Sequence, residues 1–200
     1  MSSDKYDILI VGVGGQGVLL ASEILSDVAM RAGYDVKKSE VHGMSQRGGV
    51  VSSHVKIAPK VYSPTIYQGQ ADIMLSFERA EGLRAIDMMK KDGVAIISNT
   101  TLVPAIVTST KGLEYPEDPV ADMRKQMPNV LAVEADKIAA ELGNPRLVNT
   151  ILLGIASNYL PFDEGVWLEV MKSKIKAKFV EINLTAFARG REIQLETARV

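Results

Sequence analysis

Two short stretches hold residues whose types and spacing could do chemistry on an anion. The first, Gly12-Val13-Gly14-Gly15-Gln16-Gly17, has the GxGxxG spacing and lies between an apolar run and a helical pattern. Glycines allow a tight turn and let backbone N–H groups approach a phosphate without side-chain obstruction. A helix starting at the end of such a loop directs unpaired N–H groups and a positive dipole end at the same point. Glycine-rich turns also serve simply to pack a helix against a strand, so this motif alone leaves both uses open. A nicotinamide site would further need an acidic residue near the end of the second strand, and Glu40 stands near there.

The second stretch, His42-Gly43-Met44-Ser45-Gln46-Arg47-Gly48-Gly49, concentrates polar donors and glycines at another strand end. Arg47 offers a planar fork that matches a phosphate or carboxylate. Ser45 and Gln46 add neutral donors, and Gly43, Gly48 and Gly49 again permit close backbone approach. Met44 suits either core filling or soft contact with a partner or a purine face. His42 reads as a hydrogen-bonding residue, and His54, on the polar side of a strand, lacks the partners a metal site requires. No catalytic residue and no metal ligand is assigned within the chain.

The elements that must position these loops follow from periodicity. Asp7–Val11 reads as a buried strand, and Val18, Ala21, Leu25 and Val28 recur at helical spacing to Arg31, where Gly33 ends the helix. Asp35–Val41 is a second strand, expected parallel to the first through a right-handed crossover. Val51–Ile57 alternates as a strand with one polar face. Ile73–Phe77 is an apolar strand, Glu78–Lys91 a helix, and Val94–Ser98 a strand reset by Gly93. Further along, Leu102–Thr108 reads as a short strand, Glu117–Gln126 as a helix, Val130–Val133 as a strand and Ala135–Leu142 as a helix. Three helices close the chain at Pro145–Leu160, Asp163–Lys176 and Lys178–Arg189. The pattern predicts an α/β fold: an open, mostly parallel, Rossmann-like sheet flanked by helices, with a helical C-terminal segment and one domain over residues 1–200. Both loops then fall on the carboxyl edge of the sheet, where such folds bind ligands.

Composition removes other functions. The 200 residues carry a net charge of −1 and no cysteine. There is no basic stripe for nucleic acid, and no thiol to hold an iron–sulfur cluster or a disulfide. No apolar run reaches a membrane span, and residues 1–5 lead straight into a strand. A cytoplasmic protein without nucleic-acid or membrane partners is expected.

With both loops in view, the chain resembles the gamma-type domain of 2-oxoacid:ferredoxin oxidoreductases. The resemblance rests on residues 12–17, on Glu40 through Gly49, and on Ala71-Asp72 before a strand. It extends to Asn149 with Leu153-Gly154, and to Asn183 with Ala186-Phe187 and Gly190. The version His42 to Gly49 is most like the beta subunit of indolepyruvate enzymes, since pyruvate-type relatives tend to place an aromatic residue where His42 stands. The resemblance implies a complex that decarboxylates a 2-oxoacid oxidatively, passes the acyl group to coenzyme A and reduces ferredoxin. Thiamine diphosphate and iron–sulfur clusters would sit in a large partner subunit. This chain would contribute part of a coenzyme A cradle through Gly12, Gly14, Gly15, Gln16, Gly17 and the segment His42–Gly49. The alternatives are the gamma subunit of a pyruvate, 2-oxoisovalerate or 2-oxoglutarate enzyme, a stand-alone nicotinamide- or flavin-binding oxidoreductase, and a docking module without a ligand.

Overall fold

A computed structural model describes residues 5–43, 49–103 and 114–194, with His42 described by its backbone alone. Six strands form one sheet in the order β2-β3-β1-β4-β5-β6. They are β1 (Tyr6–Val13), β2 (Asp35–His42), β3 (Val50–Ala58), β4 (Ala71–Ser76), β5 (Met89–Ser98) and β6 (Val130–Val133). Only β3 runs against its neighbours: it is antiparallel to β1 and β2, whereas β1, β4, β5 and β6 pair in parallel.

β1 is buried from Asp7 to Val13 because helices cover both sides of it. Its residues alternate between two cores. Ile8 and Ile10 join a large cluster with α1 (Val18–Arg31) and with the helices α4 (Ala135–Glu141), α5 (Val148–Ser157), α6 (Glu164–Lys174) and α7 (Val180–Arg191). Leu9 and Val11 join a smaller cluster that includes Val120 and Met123 of α3 (Pro119–Gln126). The short helix α2 (Arg79–Arg84) follows β4 and packs beside α3. Helix α1 ends as its sequence requires: Gly33 adopts φ 90°, and the Tyr34 N–H donates to the Ala29 carbonyl at 3.1 Å.

Two local expectations are corrected. The predicted helix over 78–91 stops at Arg84. After a 3-10 turn at Ile86–Met88 the chain is already strand at Met89, which pairs with Ala71. Burial of Ile86 and Met89, and the Lys90–Asp72 ion pair, override the helix propensity of this charged segment. Gly93 is therefore inside β5, at the point where the β4–β5 register shifts, rather than in a helix-to-strand turn. A β-carbon there would lie 2.9 Å from the Asp72 carbonyl oxygen. The strand expected over 102–108 is not present at Leu102 and Val103, which have no regular structure; residues 104–108 lie outside the described set.

A third correction concerns topology. β2 does run parallel to β1, but β3 is inserted between them. The carboxyl ends of β1 and β2 still share one edge, because Gly12 faces Val51 across one ladder and His42 faces Val51 across the other.

Candidate functional site

The first glycine loop is braced from within. The Val13 N–H donates to Gln16 Oε1 at 2.7 Å, and Gln16 Nε2 donates to the Phe77 carbonyl at 2.9 Å. The Gln16 carboxamide thus ties the end of β1 to the end of β4, instead of standing free as the donor that the sequence suggested. Gly12 is required for this brace, since a β-carbon would sit 2.9 Å from Gln16 Oε1 and 3.0 Å from Phe77 Cβ. The Gln16 N–H is also engaged, by the Val13 carbonyl at 3.1 Å, and the Gly14 N–H by the Gly49 carbonyl at 2.9 Å. Gly15 and Gly17 keep unpaired N–H groups among the described residues, with φ of 100° and 89°. Gly17 also caps α1 without a side chain, so the first turn of that helix remains open to an anion.

The second loop is visible at both its ends. The Gly43 N–H donates to the Val50 carbonyl at 2.7 Å, closing the β2–β3 ladder, and Gly49 accepts from Gly14. Met44, Ser45, Gln46, Arg47 and Gly48 lie outside the described residues. The structure therefore brings the stems of the two loops into direct hydrogen-bond contact on one edge.

A cavity of about 370 Å³ opens beside the first loop. Gly15, Gln16 and Gly17 form one wall, and Thr100 and Leu102, just after β5, form another. Asp136, Arg146 and Asn149 complete its polar lining. Helix α1, after β1, packs in the core of Ile8 and Ile10, whereas α2, after β4, packs beside α3 in the other, so the chain leaves β1 and β4 toward opposite faces and the cavity occupies the kind of crevice where open α/β sheets bind ligands. Thr100, Asp136 and Arg146 had no sequence signal. They come from segments more than eighty residues downstream of the loop and converge only through the sheet. Asn149 was noticed through the resemblance alone.

Glu78 was also missed, having been read as a helix start. It is 1% exposed, and its carboxylate accepts from the Glu81 N–H at 2.9 Å, from the Leu102 N–H at 3.2 Å and from the Tyr115 hydroxyl. It thereby holds residues 102 and 115 to the same edge. Burial raises the Tyr115 hydroxyl above its ordinary range, and the bond to Glu78 raises it further. The Glu81 carboxyl is likewise raised by burial.

His54 and Glu40 stand away from the cavity. His54 lies opposite Leu9 and Ser39 in mid-strand, and its Nδ1 accepts from the Ile66 N–H at 3.1 Å. Burial, with Lys56 adding to it, lowers its imidazole below the usual range. Glu40 pairs with Lys38 at 2.7 Å and does not line the cavity. Among the described residues no helix is long and apolar enough to cross a membrane.

The family model described as pyruvate ferredoxin/flavodoxin oxidoreductase matches residues 7–193. The chain belongs to this family. It is 37% identical over 190 residues to the indolepyruvate oxidoreductase subunit IorB of Archaeoglobus fulgidus, covering 93% of this chain and 94% of that one. Among solved structures, the gamma subunit of a keto/oxoacid ferredoxin oxidoreductase from Geobacter sulfurreducens aligns with a TM-score of 0.69 at 22% identity, over 94% of this chain and 96% of that chain. A 2-oxoglutarate:ferredoxin oxidoreductase from Magnetococcus marinus, with 2-oxoglutarate, coenzyme A and succinyl-CoA bound, aligns at 0.74 with 19% identity; the match covers 96% of this chain and 31% of that chain. At these identities the two structures establish the fold. Within the family the chain is a small subunit of a 2-oxoacid:ferredoxin oxidoreductase.

Proposed function

We propose that this chain completes the coenzyme A site of an indolepyruvate-type 2-oxoacid:ferredoxin oxidoreductase. A larger partner subunit would hold thiamine diphosphate and the iron–sulfur clusters, and the complex would deliver electrons to ferredoxin. The observation that carries the proposal is the Gly14–Gly49 hydrogen bond, which joins the stems of two donor-rich loops on the ligand-binding edge of the sheet. Identity to an indolepyruvate subunit over nearly the whole chain supports the choice of substrate class. The absence of cysteine supports the division of labour, because clusters are held by thiolates.

The fit to coenzyme A rests on donors without acceptors. Gly15 and Gly17, whose N–H groups have no partner among the described residues, line the cavity at the start of α1, where the dipole favours a phosphate by roughly 0.3–2 kcal/mol. In this scheme Arg47 pairs with a second anionic group, and His42, Ser45 and Gln46 orient the ligand by hydrogen bonds. Gly12, Gly43, Gly48 and Gly49 keep the loop backbones close. Bound coenzyme A would supply the thiol that accepts the acyl group, while this chain would bind and orient its phosphates. One domain spanning the chain is part of the same proposal.

The experiment is a calorimetric titration of the co-expressed complex with coenzyme A. Arg47→Ala is expected to weaken binding by about 1.5–3 kcal/mol, the cost of losing a charge-assisted hydrogen bond. Unchanged affinity and turnover would remove Arg47 from the site. Isolation of the chain as an active monomer loaded with its own redox cofactor would overturn the subunit assignment.

A further inference from the structure

We infer that Asn149 is a built-in donor to a phosphate oxygen of a phosphorylated ribose ligand, held in that pose by the C-terminal helices. The inference rests on the coenzyme A reading and extends it to the wall of the cavity opposite the glycine loop.

Asn149 lies in the first turn of α5 and is 5% exposed. The orientation of its carboxamide follows from the chemistry of its neighbour. Its Oδ1 is 2.8 Å from the backbone nitrogen of Thr150, which can only donate, so the oxygen must face Thr150. The amide nitrogen then faces the glycine loop: a β-carbon built on Gly17 would lie 2.8 Å from Asn149 Nδ2. Among the described residues that nitrogen has no acceptor, although the side chain is almost wholly buried and lines the cavity. The nitrogen is not sealed in the interior; it borders the cavity beside Gly17 and the positive end of α1, where an anionic acceptor would complete it.

The first turn of α5 is itself clamped. Thr150 Oγ1 donates to Asn183 Oδ1 at 2.7 Å, and Asn183 Nδ2 donates to the Phe179 carbonyl at 2.8 Å. Thr150 and Asn183 are positioning residues that fasten the turn carrying Asn149 to α7.

The charges around the cavity select the ligand class. The exposed guanidinium of Arg146 lines it and forms no ion pair among the described residues. Asp136 lines it as well, accepting from Thr100 Oγ1 at 2.6 Å. A bare inorganic anion gains from the first and is repelled by the second. A phosphorylated ribose satisfies both, with its phosphate at Gly17 and Asn149 and a hydroxyl donating to the carboxylate.

The decisive variant is Asn149→Asp, which keeps the shape and replaces the donor with a charged acceptor. A carboxylate in the first turn of a helix is favoured by the dipole, so the complex should assemble and keep its melting temperature. Calorimetry on the co-expressed complex should show coenzyme A binding weakened at least about tenfold. Binding of pantetheine, which has neither ribose nor phosphate, should be unchanged. Asn149→Ser, which retains a shorter hydroxyl donor, should fall between wild type and Asn149→Asp, and it gives the reading if Asn149→Asp does not assemble. Coenzyme A affinity within twofold of wild type in both variants would overturn the inference. Equal losses for coenzyme A and pantetheine would also overturn it, since they would mark a structural role. Loss in Arg47→Ala without loss at Asn149 would defeat this inference alone; no loss in either would defeat the cradle.

Discussion

Gly15, just ahead of α1, and Gly154 and Gly190, on α5 and α7, omit a side chain for opposite reasons. At Gly154 a β-carbon would stand 2.2 Å from the Phe187 carbonyl oxygen, and at Gly190 one would stand 2.1 Å from the Ile151 carbonyl oxygen. There the missing side chain is replaced by another helix, and the two backbones touch. At Gly15 a β-carbon would meet nothing within 4 Å. That space stays open, beside N–H groups that have no partner among the described residues. Glycine in a helix interior that touches a neighbour is packing, whereas glycine facing open space with free donors is the mark of a ligand site.

The sharpest break of this contrast is Gly154→Ala. Its added carbon meets backbone on a neighbouring helix, so the helices must separate. Urea unfolding should show a loss of about 3 kcal/mol or more, at the upper end for overpacking. A loss below about 1 kcal/mol would mean that α5 and α7 are not locked together.

Gly17→Ala should come next. Its left-handed φ costs about 1–2 kcal/mol in a residue with a side chain, and the new carbon would push on Asn149 Nδ2. Both stability and coenzyme A affinity should fall. Gly15→Ala carries the φ cost alone, about 1 kcal/mol after the gain from a stiffer unfolded chain, with no clash in the free protein. If Gly15→Ala unfolds the protein as severely as Gly154→Ala, the loop is packed rather than open.

The smallest effect concerns pH and a residue outside both regions. Because burial holds the His54 imidazole below its ordinary value, the unfolded chain binds a proton that the folded one does not. Its contribution is complete above the unfolded value near 6.5 and is lost as pH falls. Between pH 7.5 and 5.5 the wild type should lose more stability than His54→Gln, read as the larger drop in melting temperature. Equal losses would show that His54 is not linked to folding.

Much of the fold could be read along the chain. β1, α1, β4, β6 and α4 appear where their apolar periods and glycine punctuation place them, within two residues. The shared edge of the two loops was also readable, since it depends only on which strand ends carry them. The helix expected to continue through Lys91 was not, because Lys90 and Lys91 favour helix locally, whereas Met89 pairs with Ala71 only when β4 is alongside. The same limit applied to the site. The glycine spacing marked one wall, and nothing in the order of residues linked that wall to Thr100, Asp136 or Arg146.

By itself, the sequence determined the period of each element, the donor chemistry of residues 12–17 and 42–49, and the impossibility of cysteine ligation, all of which are local properties of the chain. Tertiary structure alone decided that β3 would lie between β1 and β2, that the Gln16 carboxamide would brace two strand ends, and that the Asn149 amide would face Gly17. Those outcomes depend on which distant segments pack side by side, and that is settled by burial across the whole sheet rather than by any stretch of it.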